Sequence, residues 1–150
     1  MTRGDFDLSR FVDAQDASGT YARALSEIRA GAKRSHWMWF VFPQITGLGS
    51  SPTAQRYAIG SLEEARAYWN HPILGARLRE CLAALASVPR PDATAVFGGI
   101  DAMKLRSSLT LFLRAAPGED ALAQALSRWF GGVADERTDA LLSDSGESTP

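Results

Sequence analysis

The sequence is poor in the residues that build covalent cross-links and metal sites, with one cysteine and two histidines among 150 residues. Cys81 has no partner for an internal disulfide, and its leucine-rich surroundings predict a small buried residue. His36 and His71 complete no zinc signature, so we expect no metal site, and His71 before a proline is expected to cap or turn the chain. Neither a Walker loop nor a dinucleotide-binding fingerprint is present, so no cofactor is predicted.

Positive charge is not in excess either, since the formal net charge is −1. This balance argues against a nucleic-acid polymer or an anionic membrane surface as a partner. The chain has no run of about 18 apolar residues, and its first residues lack the apolar stretch of a signal peptide. We therefore expect a cytoplasmic protein without a membrane partner.

Apolar residues recur at three- and four-residue intervals along most of the chain, which predicts an all-α fold. Strands do not alternate with helices, so a parallel sheet is not expected. We predict one compact domain over residues 6–142, a bundle of about seven to eight short helices. Residues 1–5 are expected to be flexible, and 143–150 to form a disordered tail because they lack an apolar anchor.

The ends and faces of several helices can be predicted from single residues. Helix N-terminal caps are expected at six positions, Asp7, Ser51, Ser61, Asp92, Asp101 and Asp135. The Asp101 helix should run from 102 to about 116, with Met103 on its buried face. Glu27 belongs to a helix that stops at Gly31, and its side chain is expected on the outside.

The most apolar stretch is 35–44, Ser-His-Trp-Met-Trp-Phe-Val-Phe-Pro-Gln. Its centre fits either an extended strand or a buried helical turn, and we predict the helical turn. His36 could exchange protons near neutral pH, and Trp37 or Trp39 could offer a flat face to a ligand ring. The alternative is that the tryptophans fill the core while His36 hydrogen-bonds the backbone.

Two polar segments are candidates for binding an anion. Gln44 and the loop Gly-Leu-Gly-Ser-Ser at 47–51 open a helix, where backbone amides and serine hydroxyls suit a phosphate. The alternative there is a plain turn with a helix cap. Lys104, Ser107 and Ser108 are three and four residues apart, so on a helix they share a face and could clamp an anion. The alternative is a solvated helix edge.

Five segments resemble motifs of a known group, at 10–15, 36–44, 47–51, 71–75 and 104–112, and His-Trp-Met-Trp-Phe-x-Phe-Pro-Gln is the most specific. The chain is identified by them as a member of the bacterial domain-of-unknown-function 1810 family, over about residues 6–142. Some members are named calpastatin, a name that belongs to a disordered eukaryotic protease inhibitor. The resemblance implies a mainly helical cytoplasmic domain and no established reaction.

These residues together predict one ligand pocket. The 44–51 loop and the helix bearing Lys104 are expected to face each other across Trp37 and Trp39 and to bind a small anionic, nucleotide-like ligand. The predicted ligand-binding residues are Trp37, Trp39, Gln44, Ser50, Ser51, Ser107 and Ser108. If the ligand is processed by hydrolysis or transfer, His36 is the expected proton-transfer residue, and Lys104 would stabilise negative charge.

The sequence leaves open whether the protein is an enzyme. Two helices, with Ser/Glu-Glu-Ala and Pro-x-x-Gly patterns, are similar to those of the all-helical NADAR family, which acts on ADP-ribose conjugates. That similarity implies an ADP-ribose-type ligand. The alternative is a noncatalytic interaction module or homodimer, in which the exposed part of the aromatic centre contacts a partner.

Overall fold

Ten α-helices follow one another along residues 6–147, the part of the chain that the computed structural model describes. The fold is all-α, as predicted. Seven of these helices have eight residues or more, and three have four or five. Their bounds are α1 Ser9–Asp16, α2 Thr20–Ala30, α3 Met38–Val41, α4 Pro52–Arg56, α5 Leu62–Asn70, α6 Leu74–Ser87, α7 Ala93–Phe97, α8 Gly99–Ala115, α9 Asp120–Phe130 and α10 Glu136–Glu147.

The longest helix, α8, lies at the centre of the bundle. It packs against α3, α5, α7, α9 and α10. Every residue from 107 to 112 is buried, so other helices cover this part of α8 almost completely, and Ser107, 2% exposed, borders a cavity. Two serines and a threonine belong to that buried segment, which places polar groups inside the core.

The centre of the aromatic stretch forms the short helix α3, as predicted, and α3 packs against α8. Trp37, just before α3, meets Phe97 of α7 edge to face with ring centres 6.3 Å apart. Phe97 meets Trp129 of α9 in the same way at 5.7 Å. Such edge-to-face pairs are favoured by the charge distribution of aromatic rings.

The helix caps follow the sequence at four of six positions. Side-chain oxygens of Ser51, Ser61, Asp92 and Asp135 each accept a backbone N–H in the first turn of their helix, at 2.9 to 3.1 Å. The prediction for Asp7 was wrong, because α1 begins at Ser9 and the residue at its cap position is Leu8. The prediction for Asp101 was wrong, because α8 already begins at Gly99 and places Asp101 inside its first turn. Its carboxylate binds lysine side chains there.

Two predicted helix faces also differ from the structure. Met103 is 62% exposed, because the N-terminal part of α8 extends beside open cavities that leave this side chain uncovered. Glu27 is only 9% exposed, because the chain turns back over the end of α2 and covers it.

The last helix continues beyond the predicted end of the domain. Residues 143–147 belong to α10, where the composition predicts a disordered tail. A helix that has already formed gains one backbone hydrogen bond per added residue, so it can continue without apolar side chains. The predictions of a flexible segment at 1–5 and of a disordered tail at 148–150 concern residues outside the described part of the chain.

Candidate functional site

The aromatic stretch 35–44 is anchored on one buried carboxylate, that of Glu27 in α2. Glu27 accepts hydrogen bonds from the backbone N–H groups of Arg34 (2.9 Å) and Ser35 (3.2 Å). It also accepts from the Ser35 hydroxyl at 2.6 Å and from the indole N–H of Trp37 at 2.8 Å. Burial favours the protonated form, but these hydrogen bonds outweigh it and lower the pKa of Glu27 to about 2. A charged Glu27 thus fixes the segment between α2 and α3.

Both lysines of the chain bind the same carboxylate, that of Asp101. Lys33 Nζ lies 2.8 Å from Asp101 Oδ2 and 5.0 Å from the ring centre of Trp37. Lys104 Nζ lies 3.6 Å from Asp101 Oδ1 and 4.4 Å from the ring centre of Trp39. Cations at these distances are attracted to an indole face. Two lysine–tryptophan contacts with one counter-ion therefore join the aromatic stretch to α8.

Lys104 borders a cavity of about 470 Å³ between the 44–51 loop and α8. Six of the residues predicted for the site line it: Trp39, Gln44, Ser50, Ser51, Lys104 and Ser107. Leu48 and Gly49 of the predicted loop also line it, and the wall contains five residues that sequence reasoning did not assign to the site, namely Ala54, Ile100, Met103, Asp135 and Arg137. The cavity thus combines apolar surface with charged groups of both signs.

Three predicted site residues lie outside this cavity. Trp37 is 0% exposed and turned into the core, so it offers no face to a ligand. Ser108 is also 0% exposed, because neighbouring helix residues point about 100° apart and only Ser107 faces the cavity. His36 is exposed and stacks on Trp39, with ring centres 6.4 Å apart, but it is not part of the cavity wall.

The serine loop contributes hydroxyl groups more than backbone amides. Ser51 Oγ accepts the Ala54 N–H at 3.1 Å, which takes up one of the amides expected to face an anion. Pro52, at the first position of α4, has no N–H to offer. The hydroxyls of Ser50 and Ser51 remain on the cavity wall.

A short backbone pairing closes the base of this loop. Ile45 and Ile59 form an isolated parallel bridge, in which the Thr46 N–H donates to Ile59 O and the Ile59 N–H to Gln44 O, both at 2.8 Å. Gly47 has a φ of +101°, a conformation that other residues adopt only with strain. The pairing therefore holds Gln44 at the edge of the cavity, a constraint that hydrophobic periodicity does not reveal.

Hydroxyl groups tie α8 to the start of α10 on another side of the cavity. Ser107 Oγ lies 2.8 Å from Thr138 Oγ1, and Thr138 Oγ1 donates to Asp135 Oδ2 at 2.6 Å. The Asp135 N–H donates to Thr110 Oγ1 at 2.9 Å. The position of Asp135 as a helix cap was predictable, whereas its place on the cavity wall depends on the packing of α10 against α8.

The charged groups of the cavity are Lys104, Arg137 and Asp135. Lys104 keeps a loose ion pair with Asp101, at 3.6 Å and with 22% of its side chain exposed. Arg137 is exposed and forms no ion pair within 4.0 Å with the side chains that the structure describes. Two cations are therefore available to an anionic group in this cavity.

Two other cavities are larger but less suited to an anion. One of about 770 Å³ lies between α6 and α9, where Arg79 and Arg128 already donate to backbone carbonyls and alanines form much of the wall. One of about 580 Å³ contains Arg106, with Asp92 and Asp135 on the same wall. Asp135 borders both this cavity and the one beside Lys104, but here Asp92 adds a second carboxylate, which opposes the entry of an anion. The cavity beside Lys104 has the better chemistry despite its smaller size.

Several other sequence expectations concern chemistry away from the cavity. Cys81 is buried as predicted, and burial raises the pKa of its thiol to about 12. His71 caps the chain as predicted, since its Nδ1 accepts the N–H groups of Ile73 and Leu74 at 3.1 and 3.2 Å. The side chains that the structure describes, those of residues 6–143, include no cluster of three histidine, cysteine or acidic groups placed to hold a metal ion. No helix of the described chain combines the length and apolarity needed to cross a membrane.

Comparison with known proteins gives the chain a family. A family model described as "Protein of unknown function (DUF1810)" matches residues 5–142. A similar solved structure is the crystal structure of the conserved hypothetical protein Rv1873 from Mycobacterium tuberculosis, with 51% identity and a TM-score of 0.88. The similarity covers 92% of this chain and 97% of that one. No curated protein matches the chain.

Proposed function

The chain belongs to the DUF1810 family of proteins of unknown function, and we propose that the cavity beside Lys104 binds a small anionic ligand of nucleotide type. One observation carries the proposal: the Lys104 ammonium is held at the cavity by Trp39 and Asp101, in a chain with only two lysines. A positioned cation at the wall of a cavity is the feature that anion recognition needs.

The size and lining of the cavity support a small molecule. Its volume of about 470 Å³ falls within the range of about 300–1,000 Å³ that is usual for ligand pockets. Ser50 and Ser51 can donate hydroxyl hydrogen bonds, and Arg137 adds a second positive charge. Leu48 and Ile100 provide apolar surface beside these groups.

Trp39 has a different role in this proposal from that of a stacking platform. Its ring already carries the Lys104 ammonium at 4.4 Å and the His36 ring at 6.4 Å. The indole therefore orients the ammonium group, and in this proposal the ligand contacts the ammonium and not the indole face. Trp39 acts as a positioning residue for Lys104.

The proposal concerns ligand binding, and two residues would serve catalysis if the bound ligand is also processed. His36 is the nearest candidate for proton transfer, because it is exposed and stacks on Trp39. Lys104 would stabilise negative charge that develops during hydrolysis or transfer. If the ligand is processed, His36→Ala should stop turnover while leaving ligand affinity within about twofold, because a group that moves a proton contributes to the reaction more than to ground-state binding.

Thermal unfolding with ligands tests the proposed function. AMP or ADP-ribose at about 100 times its Kd should raise the melting temperature of the wild-type protein by about 5 °C or more. Lys104→Met removes the charge, keeps a side chain over Trp39, and should abolish this shift. Arg90→Met is the matched control, since Arg90 is exposed and lies outside the cavity wall. Equal shifts in wild type and Lys104→Met would overturn the proposal.

Exposed apolar side chains favour a second candidate, a noncatalytic interaction surface or homodimer. Ile100 is 74% exposed and Met103 62%, and they are three residues apart at the cavity mouth. Exposed apolar neighbours on one helix face are typical of contact surfaces. Sedimentation over a range of concentrations tests this: a dimer that Ile100→Lys disrupts, in a protein without any ligand shift, would favour the second candidate.

A further inference from the structure

The direction of the hydrogen bonds between α8 and α10 can be assigned from their chemistry. A carboxylate oxygen only accepts, so Thr138 must give its single hydroxyl proton to Asp135 Oδ2, 2.6 Å away. Thr138 Oγ1 can then only accept from Ser107, at 2.8 Å. The Ser107 hydroxyl is therefore the donor in that contact.

This assignment changes what Ser107 can offer to a ligand. Its one proton is already donated to Thr138, so toward the cavity the Ser107 oxygen can only accept. Asp135 Oδ1 is a second acceptor, because both hydrogen bonds to the Asp135 carboxylate from described residues use Oδ2. Ser107 Oγ and Asp135 Oδ1 thus present acceptors to the cavity, which repel an anionic oxygen.

Donors are found on the other cavity residues. The Lys104 ammonium, the Arg137 guanidinium and the Ser50 hydroxyl can all donate to an anion. Lys104 and Ser107 are one helical turn apart, so their Cβ atoms are separated by about 5–6 Å. One small ligand can reach both if it carries an anionic group and, next to it, groups that donate hydrogen bonds.

Resting on the proposed function, we propose that the ligand class is a hydroxylated phosphate, a sugar phosphate or the ribose phosphate of a nucleotide. The phosphate binds Lys104 and Arg137, and sugar hydroxyls donate to Ser107 and Asp135. A ligand ammonium would also satisfy the acceptors, but it would share the cavity with two cations. Neutral hydroxyls avoid that repulsion.

Calorimetric titration with AMP and with 2′,3′-dideoxy-AMP tests the ligand class. Wild type should bind AMP about two- to tenfold more tightly, the range expected for a net hydrogen bond. Ser107→Ala should reduce this preference. The adjacent Ser108→Ala, whose hydroxyl is buried away from the cavity, should keep it. Lys104→Met should weaken both nucleotides to a similar extent.

Two different negative results would separate the sugar assignment from the anion site on which it rests. Equal affinity of wild type for the two nucleotides, or an unchanged preference in Ser107→Ala, would overturn the sugar assignment but leave the anion site. Failure of wild type to bind either nucleotide, inorganic phosphate or ADP-ribose would overturn both.

A second variant reports on the proton of Ser107 directly. Thr138→Val keeps the side-chain shape but removes the acceptor that holds this proton, together with the hydroxyl donor to Asp135 Oδ2, which keeps the Thr138 N–H. The Ser107 hydroxyl can then donate into the cavity, so inorganic phosphate should bind Thr138→Val more tightly than wild type. Weaker or equal phosphate binding by this variant, measured below its melting temperature, would contradict the assigned hydrogen-bond direction.

Discussion

The two lysine–tryptophan pairs on Asp101 are alike in composition and different in surroundings. The Lys33 side chain and Trp37 are buried, with 7% of the lysine side chain and 0% of the tryptophan exposed. Lys104 and Trp39 are half-buried and lie at the cavity wall. The ion pair is also shorter for Lys33, at 2.8 Å, than for Lys104, at 3.6 Å.

This difference separates a structural role from a functional one within a single motif. The buried pair is further fixed by Glu27, which accepts the Trp37 indole N–H. The outer pair has no comparable anchor, and the Lys104 ammonium remains accessible. One carboxylate, Asp101, thus links a rigid contact in the core to a cation at the surface. We therefore expect substitutions in the Lys33–Trp37 pair to lower the free energy of unfolding. Substitutions in the Lys104–Trp39 pair should instead weaken ligand binding.

The largest effect is expected from Glu27→Gln. The amide keeps the size of the side chain but removes the charge and one acceptor oxygen from four hydrogen bonds. Hydrogen bonds to a charged group contribute about 1.5–3 kcal/mol each, so a loss of about 2–4 kcal/mol in the free energy of unfolding is expected. Urea denaturation at pH 7 measures this loss.

The dependence on pH provides the control for that variant. The pKa of Glu27 is lowered from 4.5 to about 2 on folding, so its carboxylate stabilises the protein fully above about pH 4.5. That contribution disappears as the pH falls from about 4.5 to about 2. The difference between wild type and Glu27→Gln should therefore shrink in this window. A difference that stays constant down to pH 2.5 would show that the charge of Glu27 does not matter.

The second prediction compares Lys33→Met with Lys104→Met. Lys33→Met leaves Asp101 without its closer partner and should lower the free energy of unfolding by about 1–3 kcal/mol. Lys104→Met removes a partly exposed pair and a cation–π contact, and should lower it by less than about 1 kcal/mol. Chemical denaturation gives both values.

Ligand binding should follow the reverse order in these two variants. Lys33→Met should retain the AMP-induced rise in melting temperature, and Lys104→Met should lose it. If Lys33→Met and Lys104→Met lost equal amounts of stability and of ligand affinity, the two pairs would not have separate roles. Asp101 would then couple them.

Local sequence signals predicted the helices of this fold well. The caps at Ser51, Asp92 and Asp135 depend on contacts within three or four residues, which a sequence displays directly. Gly75 in the family motif has an equally local reason, because a Cβ there would lie 2.0 Å from Trp69 O. Such short-range constraints hold whatever the rest of the chain does.

The parts of the site that depend on long-range packing could be predicted only in part. Lys104 and the 44–51 loop were assigned to one pocket because they are polar groups expected beside the apolar centre of the chain, and both line the same cavity. It did not reveal Glu27 as an anchor, because its four donors lie in an irregular segment without periodicity. Asp135 and Arg137 reach the cavity from α10, more than 25 residues after Lys104.

The smallest effect is expected from the two neighbouring serines of α8. Ser108 Oγ is buried and makes no hydrogen bond among the described residues, so its desolvation is uncompensated. Ser108→Ala should therefore leave the free energy of unfolding unchanged or raise it by up to about 1 kcal/mol. Ser107→Ala loses the contact to Thr138 and should lower it by about 1 kcal/mol. Urea denaturation of both variants measures the two changes in the free energy of unfolding. A clear loss of stability in Ser108→Ala would show that the Ser108 hydroxyl has a hydrogen-bond partner. It would contradict the assignment of Ser108 to the core face of α8 and of Ser107 to the cavity face.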